Sequence, residues 1–141
     1  MLSDIGWSEH PDYRAEHTFL RVLRLPFAGL SHHDRVFLAF SLFFRYTGDR
    51  DNSIVVPVMG LLQENDLERA ETLGNALRLA YTLSGAAPGL LPMTRLELVD
   101  QELILNLYGD ERKDREIFTS EAVERRLNIL ARTIGRRGRI A

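Results

Sequence analysis

The residues of this chain that could support chemistry are four histidines, scattered carboxylates and a large set of arginines. His32, His33 and Asp34 are consecutive and could suggest a metal cluster. Adjacent residues at the start of a helix point in different directions, however, so they rarely share one ion. Ser31 is typical of a helix N-cap and Asp34 of a first turn. The segment therefore favours a polar cap over a metal site or a Ser-His-Asp catalytic arrangement.

Arginine is the more informative residue type. Of the 18 basic residues, all but Lys113 are arginine. Six arginines lie within residues 125–139, and Arg136, Arg137 and Arg139 form a basic end. The planar guanidinium pairs well with phosphate oxygens. The same distribution also suits solvated helix positions in a protein that uses arginine where others use lysine. The sequence leaves both interpretations open.

Other kinds of chemistry lack their motifs. Cysteine is absent, which excludes a disulfide framework and a thiolate metal site. We find no GxGxxG or Walker-type phosphate loop. No nucleic-acid motif accompanies the aromatic side chains of residues 36–44, which we expect to pack in a core: Phe37, Phe40, Phe43 and Phe44. That run is too short to cross a bilayer, and the N-terminus does not read as a signal peptide. We expect a cytoplasmic protein without nucleic-acid or membrane partners.

The elements that position these residues are predicted to be mainly helical. Helical spacing of apolar residues extends over 10–25, where Pro26 stops it. A second helix, over 34–46, is apolar nearly all round and is expected at the centre of a bundle. A short helical segment at 55–62 accepts Pro57 in its first turn. A longer helix follows, from Asn65 or Asp66 to about residue 84.

The last third of the chain changes period. Leucines alternate with polar residues on either side of residues 99–102, which predicts a β-hairpin of two half-buried strands. After a charged loop at 109–115, residues 119–122 begin a final helix, which Gly135 ends. The basic end would then be a flexible extension. We predict one domain over 1–141, with a helical core at 1–90 and the hairpin and last helix at 91–141.

Several stretches carry a resemblance to a known family. Residues 2–7 (LSDIGW), followed by HPDYRAEH at 10–17, resemble the start of the helical C-terminal region of the exopolyphosphatase / guanosine pentaphosphate phosphohydrolase family. The stretches 27–32, 42–46 and 77–81 are similar to later segments of that region, in the same order. The resemblance covers nearly the whole chain. It implies a mainly α fold, an HD-domain-like helical bundle with a small C-terminal β-hairpin and a final helix.

The metal ligands of an HD domain are mostly missing from this sequence. Where the resemblance would place the HD pair, Ser3 precedes Asp4. Thr47 and Tyr81 stand where a histidine and an aspartate would follow. Only Asp4 and His17 remain, as a vestigial pair, whereas a catalytic divalent metal needs several nitrogen and oxygen ligands at once. We therefore expect no catalytic residue, metal or cofactor in this chain.

The resemblance also implies a function. The family's hydrolytic chemistry lies in an actin-like region that precedes this one, with Mg²⁺ expected for the parent enzyme. Met1 is therefore expected to be a boundary inside a longer protein. The leading hypothesis is a non-catalytic C-terminal domain that binds polyphosphate and helps a homodimer assemble. The candidate polyphosphate-binding residues are Arg14, Arg45, Arg78, Arg136, Arg137 and Arg139.

Three alternatives stay open at this point. Arg14, Arg45 and Arg78 could instead pair locally, with Glu16, Asp49 and Glu71. The chain could be a stand-alone HD-type metal-dependent nucleotide phosphohydrolase, or a purely structural interaction domain. Either polyphosphate or guanosine pentaphosphate would suit the parent enzyme as its substrate.

Overall fold

A computed structural model describes residues 5–6, 8–26, 28–86, 89, 91–108 and 120–141 of the chain. Over these residues the protein is rich in helix and has one small sheet. The chain divides into two compact units, Met1–Gly74 and Asn75–Ala141. The organisation into a single domain with a change at about residue 90 stays a prediction. Within the described part, no helix is long and apolar enough to span a membrane.

The first unit is built from helices. They are α1 (Arg14–Arg24), α2 (His32–Tyr46), α3 (Val56–Met59) and the beginning of α4 (Glu64–Ala86). Helix α1 starts later than its apolar spacing predicts, because residues 10–13 form a turn in which Tyr13 N–H donates to His10. Pro57 lies in the first turn of α3, as predicted. The long helix α4 begins one or two residues before the predicted cap.

The core of the first unit forms between α1 and α2. The ring of Phe19 lies 5.0 Å from that of Phe40 and 5.8 Å from that of Phe43, both in edge-to-face geometry. Phe44 is also fully buried, so the prediction of a buried aromatic helix is confirmed. Phe37 is only partly buried, and the Arg69 guanidinium lies 5.8 Å from its ring centroid.

The second unit contains the predicted hairpin. Strands β1 (Thr94–Val99) and β2 (Glu102–Leu107) pair antiparallel, and Val99 lies opposite Glu102. Asp100 in the turn has a φ of 50°, a conformation that aspartate tolerates better than most residues. A 3₁₀ turn, Leu91–Met93, precedes β1. Helix α5 (Glu121–Thr133) follows, and its N-cap Ser120 accepts a hydrogen bond from Val123 N–H.

The basic end is ordered, and its prediction as a flexible extension is wrong. Arg137–Ile140 forms strand β3, which pairs parallel with β2 on the side away from β1. The β2–α5–β3 connection is thus a helical crossover between parallel strands. Arginines at 137 and 139 alternate with Gly138 and Ile140, which have the lower exposure. A period of two is typical of a strand. It was overlooked because the arginines of the segment suggested a solvated tail.

One face of the sheet packs on helices to make the second core. Its buried members are Leu79, Leu83, Leu103, Leu105, Val123, Leu127, Leu130 and Ala131. The predicted hairpin is present, but its strands are not half-buried as predicted: Leu103, Ile104 and Leu105 are consecutive in β2 and all buried. Strand β1 is more exposed, since Leu96 and Leu98 keep 41% and 65% of their surface. Burial therefore decreases across the sheet, from β2 to β1.

Candidate functional site

Arg14 and Arg45 meet at one aromatic ring in the first unit. Arg45 is only 6% exposed, and its Nη1 donates to the Tyr46 hydroxyl at 3.2 Å. Its guanidinium lies 5.0 Å from the Tyr46 ring centroid, and that of Arg14 lies 5.8 Å from it. Arg14 also donates from Nε and Nη2 to the carbonyl of Glu9, at 3.3 and 3.0 Å. Both arginines are thus held by packing and hydrogen bonds.

Arg78 lies in the second unit, where α4 packs on α5. The Asn75 side chain donates to Thr133 Oγ1 at 3.0 Å, and apolar side chains of the two helices share the core cluster. This packing brings Arg78 close to Arg125 and Arg126 of α5. Arg78 and Arg126 are half-buried and Arg125 is exposed. We call Arg78, Arg125 and Arg126 the arginine cluster.

The electrostatics of the arginine cluster are unfavourable. Burial, followed by the like charges of Arg126 and Arg125, lowers the pKa of Arg78 to about 10. Burial and the charge of Arg125 lower the pKa of Arg126 in the same direction. Among the described residues, no carboxylate lies within ion-pair distance of these three guanidinium groups. Within the described part of the chain, the cluster is a concentration of positive charge without a carboxylate counterion.

The carboxylate considered as a local partner for Arg78 is engaged elsewhere. Glu71 binds Arg50, whose Nε and Nη2 both donate to Glu71 Oε2. The Arg50 guanidinium also lies 3.5 Å from Glu64. This network raises the pKa of Arg50 despite its partial burial, the opposite of the direction at Arg78. Arg50 therefore has two carboxylate partners, whereas Arg78 has none among the residues that the structure describes.

The three arginines of the basic end line one cavity of about 570 Å³ in the second unit. The Arg136 guanidinium donates to the Gln101 side chain at 3.2 Å, and Arg139 Nε donates to Glu102 at 3.0 Å. Arg137 is exposed at the same cavity, which Asp100 also lines. The cavity thus has mixed charge, with arginines beside two carboxylates.

The six predicted phosphate-binding arginines therefore form separate groups. Arg14 and Arg45 lie in the first unit, and Arg78 and the basic end lie in the second. A single groove that joins Arg45 to Arg78 stays a prediction. The sequence shows the arginine-rich stretch that contains Arg125 and Arg126, but these two were not among the predicted phosphate-binding residues. Their position beside the apolar stripe residue Leu127 was the available signal, because it places them at the edge of a helix interface.

Of the predicted vestigial pair, Asp4 and His17, the structure describes only His17. Asp4 and Ser3 lie outside the described residues. His17 Nδ1 lies 2.9 Å from Glu9 Oε2, and this hydrogen bond lowers the pKa of Glu9. Within the described ranges, no three histidine, aspartate or glutamate side chains gather in a way that could hold a metal ion. The structure thus provides His17 with an acidic hydrogen-bond partner that the sequence did not suggest.

The histidine-rich turn is a helix cap. Ser31 Oγ accepts from Asp34 N–H at 3.1 Å, and Asp34 Oδ2 accepts from Ser31 N–H at 3.2 Å. This reciprocal capping box begins α2, and it confirms the predicted polar cap. His33 Nε2 lies 3.0 Å from Asp66 Oδ2, so the histidine bridges α2 and α4 within the first unit. These contacts account for the segment structurally.

A comparison with known protein families identifies the family of this chain. The family model described as "Exopolyphosphatase, C-terminal" matches residues 1–141, the whole chain. The chain belongs to this exopolyphosphatase C-terminal family, and the resemblance found in the sequence is confirmed. No curated protein shows significant sequence similarity to it.

Proposed function

We propose that this chain is a non-catalytic polyphosphate-binding domain of an exopolyphosphatase-type enzyme. The observation that carries this proposal is the arginine cluster. Arg78, Arg125 and Arg126 repel one another, and no described carboxylate neutralises them. A bound anion would supply the missing negative charge. Because a guanidinium donates two parallel hydrogen bonds to phosphate oxygens, phosphate suits this cluster better than a small monoanion does.

A chain of phosphates is the ligand class that uses the remaining arginines as well. A repeating polyanion can engage the arginine cluster together with the basic end, which raises the overall affinity above that of either group. Arg136, Arg137 and Arg139 would provide this second contact from the rim of their cavity. Arg14 and Arg45 remain a separate candidate contact in the first unit, where the buried Arg45 would act through the Tyr46 ring that it shares with Arg14.

The finer parts of the proposal concern the parent protein. We infer an HD-domain-like helical bundle that has lost its metal site and helps the enzyme assemble as a cytoplasmic homodimer. Hydrolysis of polyphosphate or guanosine pentaphosphate, with Mg²⁺, would belong to the actin-like region of that enzyme. Membership of the exopolyphosphatase C-terminal family supports this division of labour.

Polyphosphate titration of matched variants tests the binding proposal. Arg78→Gln/Arg126→Gln removes two charges from the arginine cluster. Arg24→Gln/Arg69→Gln removes two charges from exposed helix positions outside it. By calorimetry at about physiological salt, we expect the first variant to bind long-chain polyphosphate about tenfold more weakly. The control should change the affinity much less. Equal effects of the two variants would mean that binding depends on net charge alone.

Salt dependence supplies an independent measurement. Each arginine–phosphate contact displaces condensed counterions, so the affinity of the wild-type chain should fall steeply with added salt. Removal of two contacts should make the dependence shallower, whereas the control should keep the wild-type slope. An unchanged slope in Arg78→Gln/Arg126→Gln would exclude these arginines as phosphate contacts.

Hydrolysis assays separate this proposal from a stand-alone HD-type phosphohydrolase. We expect phosphate release from polyphosphate, guanosine pentaphosphate and nucleoside phosphates to stay at background with Mg²⁺ or Mn²⁺. The Ser3→Ala/Asp4→Ala variant is the control. Turnover by the wild type that this variant loses would establish an active metal site instead. A purely structural domain would show neither turnover nor cluster-dependent binding.

A further inference from the structure

The outer edge of β1 has no hydrogen-bonded strand beside it within the described residues. The strand order is β1-β2-β3, so β1 is at the edge of the sheet, and none of the described residues pairs with its outer side. Natural edge strands are commonly protected by proline, by charged side chains and above all lysine, by a bulge or by a covering segment. Residues 94–99 (TRLELV) contain neither proline nor lysine, and their register with β2 runs without interruption.

The hairpin register identifies the backbone groups that point outward. Tyr108 N–H donates to the carbonyl of Met93 at 2.7 Å, so this opposed pair is hydrogen-bonded. In an antiparallel ladder such pairs alternate with pairs that do not bond. Odd-numbered residues of β1 therefore bond to β2. The N–H and C=O groups of Thr94, Leu96 and Leu98 point to the free edge.

The same strand carries uncovered apolar surface. Leu96 lies opposite Leu105 and Leu98 opposite Leu103, so all four leucines lie on the same face of the sheet. Leu103 and Leu105 are buried in the core cluster, whereas Leu96 and Leu98 are 41% and 65% exposed. The apolar face of the sheet thus continues past the helices that cover it.

The charges of β1 determine which partner fits. On the opposite face, Arg95 and Glu97 are neighbours, with Arg95 Nε 3.2 Å from Glu97 Oε1. In an antiparallel pair of two identical strands centred on Leu96, Arg95 of each copy lies opposite Glu97 of the other. In that register, Leu96 lies opposite Leu96 of the other copy, and Thr94 lies opposite Leu98. These are hydrogen-bonded pairs, because the backbone groups of all three residues point outward. Charge, backbone and apolar surface are self-complementary in this one register.

We propose that β1 pairs antiparallel with β1 of a second copy of this chain, around a two-fold axis at Leu96. This joins two three-stranded sheets into one and covers Leu96 and Leu98 of each copy. A two-fold contact of this kind uses the same surface on both subunits. The inference rests on the dimer assembly in the proposed function, and it specifies the surface that the dimer uses.

Sedimentation velocity of the 141-residue chain over a concentration series tests the surface. We expect a wild-type dimer whose dissociation constant rises about tenfold or more in Leu98→Asp, because a carboxylate would be buried at the contact. Leu61→Asp is the matched control, since Leu61 is also 65% exposed but lies outside β1. It should leave the dimer intact. Circular dichroism checks that both variants are folded.

A charge exchange tests the register independently. Arg95→Glu places two glutamates opposite each other on both sides of the two-fold axis, so the dimer should weaken. Arg95→Glu/Glu97→Arg restores opposite charges and should restore the dimer. A dimer unaffected by Leu98→Asp and by Arg95→Glu would overturn this surface but leave dimer assembly intact. A wild-type chain that stays monomeric would overturn dimer assembly itself, whatever its affinity for polyphosphate.

Discussion

Gly74 of α4 lies directly against Phe44 of α2. A Cβ atom at position 74 would be 2.6 Å from the Phe44 Cβ and 2.6 Å from the Ser41 carbonyl oxygen. Both distances are below ordinary van der Waals contact, and the carbonyl belongs to a helix backbone that cannot move alone. Glycine is therefore required where these two helices approach each other in the first unit.

Gly74→Ala should lower the free energy of unfolding by about 2 kcal/mol, because overpacking outweighs the better helix propensity of alanine. Gly85→Ala is the control within the same helix. A Cβ there has no neighbour within 4 Å, so the substitution should stabilise the protein by about 0.5–1 kcal/mol. Urea denaturation monitored by circular dichroism measures both. Equal effects of the two substitutions would contradict the close α2–α4 approach.

Deletion of residues 136–141 should destabilise the protein, because these residues include β3. Ile140 packs against the core cluster, and Gly138 lies close to Leu127 and Asn128 of α5. We expect a loss of about 2 kcal/mol from the exposed apolar surface and the lost strand pairing. Arg136→Gln/Arg137→Gln/Arg139→Gln should keep nearly the wild-type stability, since exposed ion pairs contribute little. A deletion variant as stable as the wild type would mean that β3 does not contribute.

The helices and the hairpin could be predicted from the sequence because their signals are local. The Ser31 cap, the apolar sequence of α2, the apolar face of α5 and the alternation around residues 99–102 can each be recognised from residues close together in the chain. Strand β3 was not predicted because its pairing partner, β2, is more than thirty residues away. In addition, its two arginines and the preceding Arg136 made the segment look solvated. Parallel pairing across a helix leaves only a short local pattern.

The arginine cluster could be predicted only in part. The sequence selects Arg78 through its place in a family-like stretch, but the sequence does not show which helix packs beside it. Arg125 and Arg126 join it because Asn75 and Thr133 fix the register of α4 and α5. The burial of Arg45 was also not predicted, because arginine is mostly exposed in folded proteins. In this structure its guanidinium packs on the Tyr46 ring.

The capping box at α2 should make stability depend on pH in the acid range. The hydrogen bonds from the side chain and then the backbone of Ser31 lower the pKa of Asp34. A carboxyl group whose pKa is lower in the folded state stabilises the protein above its unfolded pKa of about 4. That contribution is lost as the pH falls through the folded value. Asp34→Asn should therefore differ most from the wild type at neutral pH, and the difference should shrink toward pH 3 or so.

Urea denaturation at a series of pH values measures this effect. Ser31→Ala should reduce the same pH dependence, because it removes the largest cause of the lowered pKa of Asp34. A difference between Asp34→Asn and the wild type that stays constant from neutral to acid pH would show that the charge of Asp34 does not contribute to the cap.

The arginine cluster should destabilise the protein when no anion is present. The pKa of Arg78 falls to about 10, so at neutral pH the folded state holds a charge that its surroundings disfavour. For a base with a lowered pKa, this penalty is constant below about pH 10 and decreases only above it. Arg78→Met keeps the apolar length of the side chain and removes the charge. We expect it to raise the free energy of unfolding by about 1 kcal/mol, after allowance for partial solvent exposure.

Added anion should reduce the stability difference between the wild type and Arg78→Met. A ligand that binds only the folded state raises its stability. Tripolyphosphate should therefore raise the melting temperature of the wild type more than that of Arg78→Met. Arg24→Met, at an exposed position of α1, should respond to tripolyphosphate as the wild type does. If Arg78→Met is less stable than the wild type without anion, Arg78 has a stabilising partner within the chain. In that case the arginine cluster could not serve as the phosphate site.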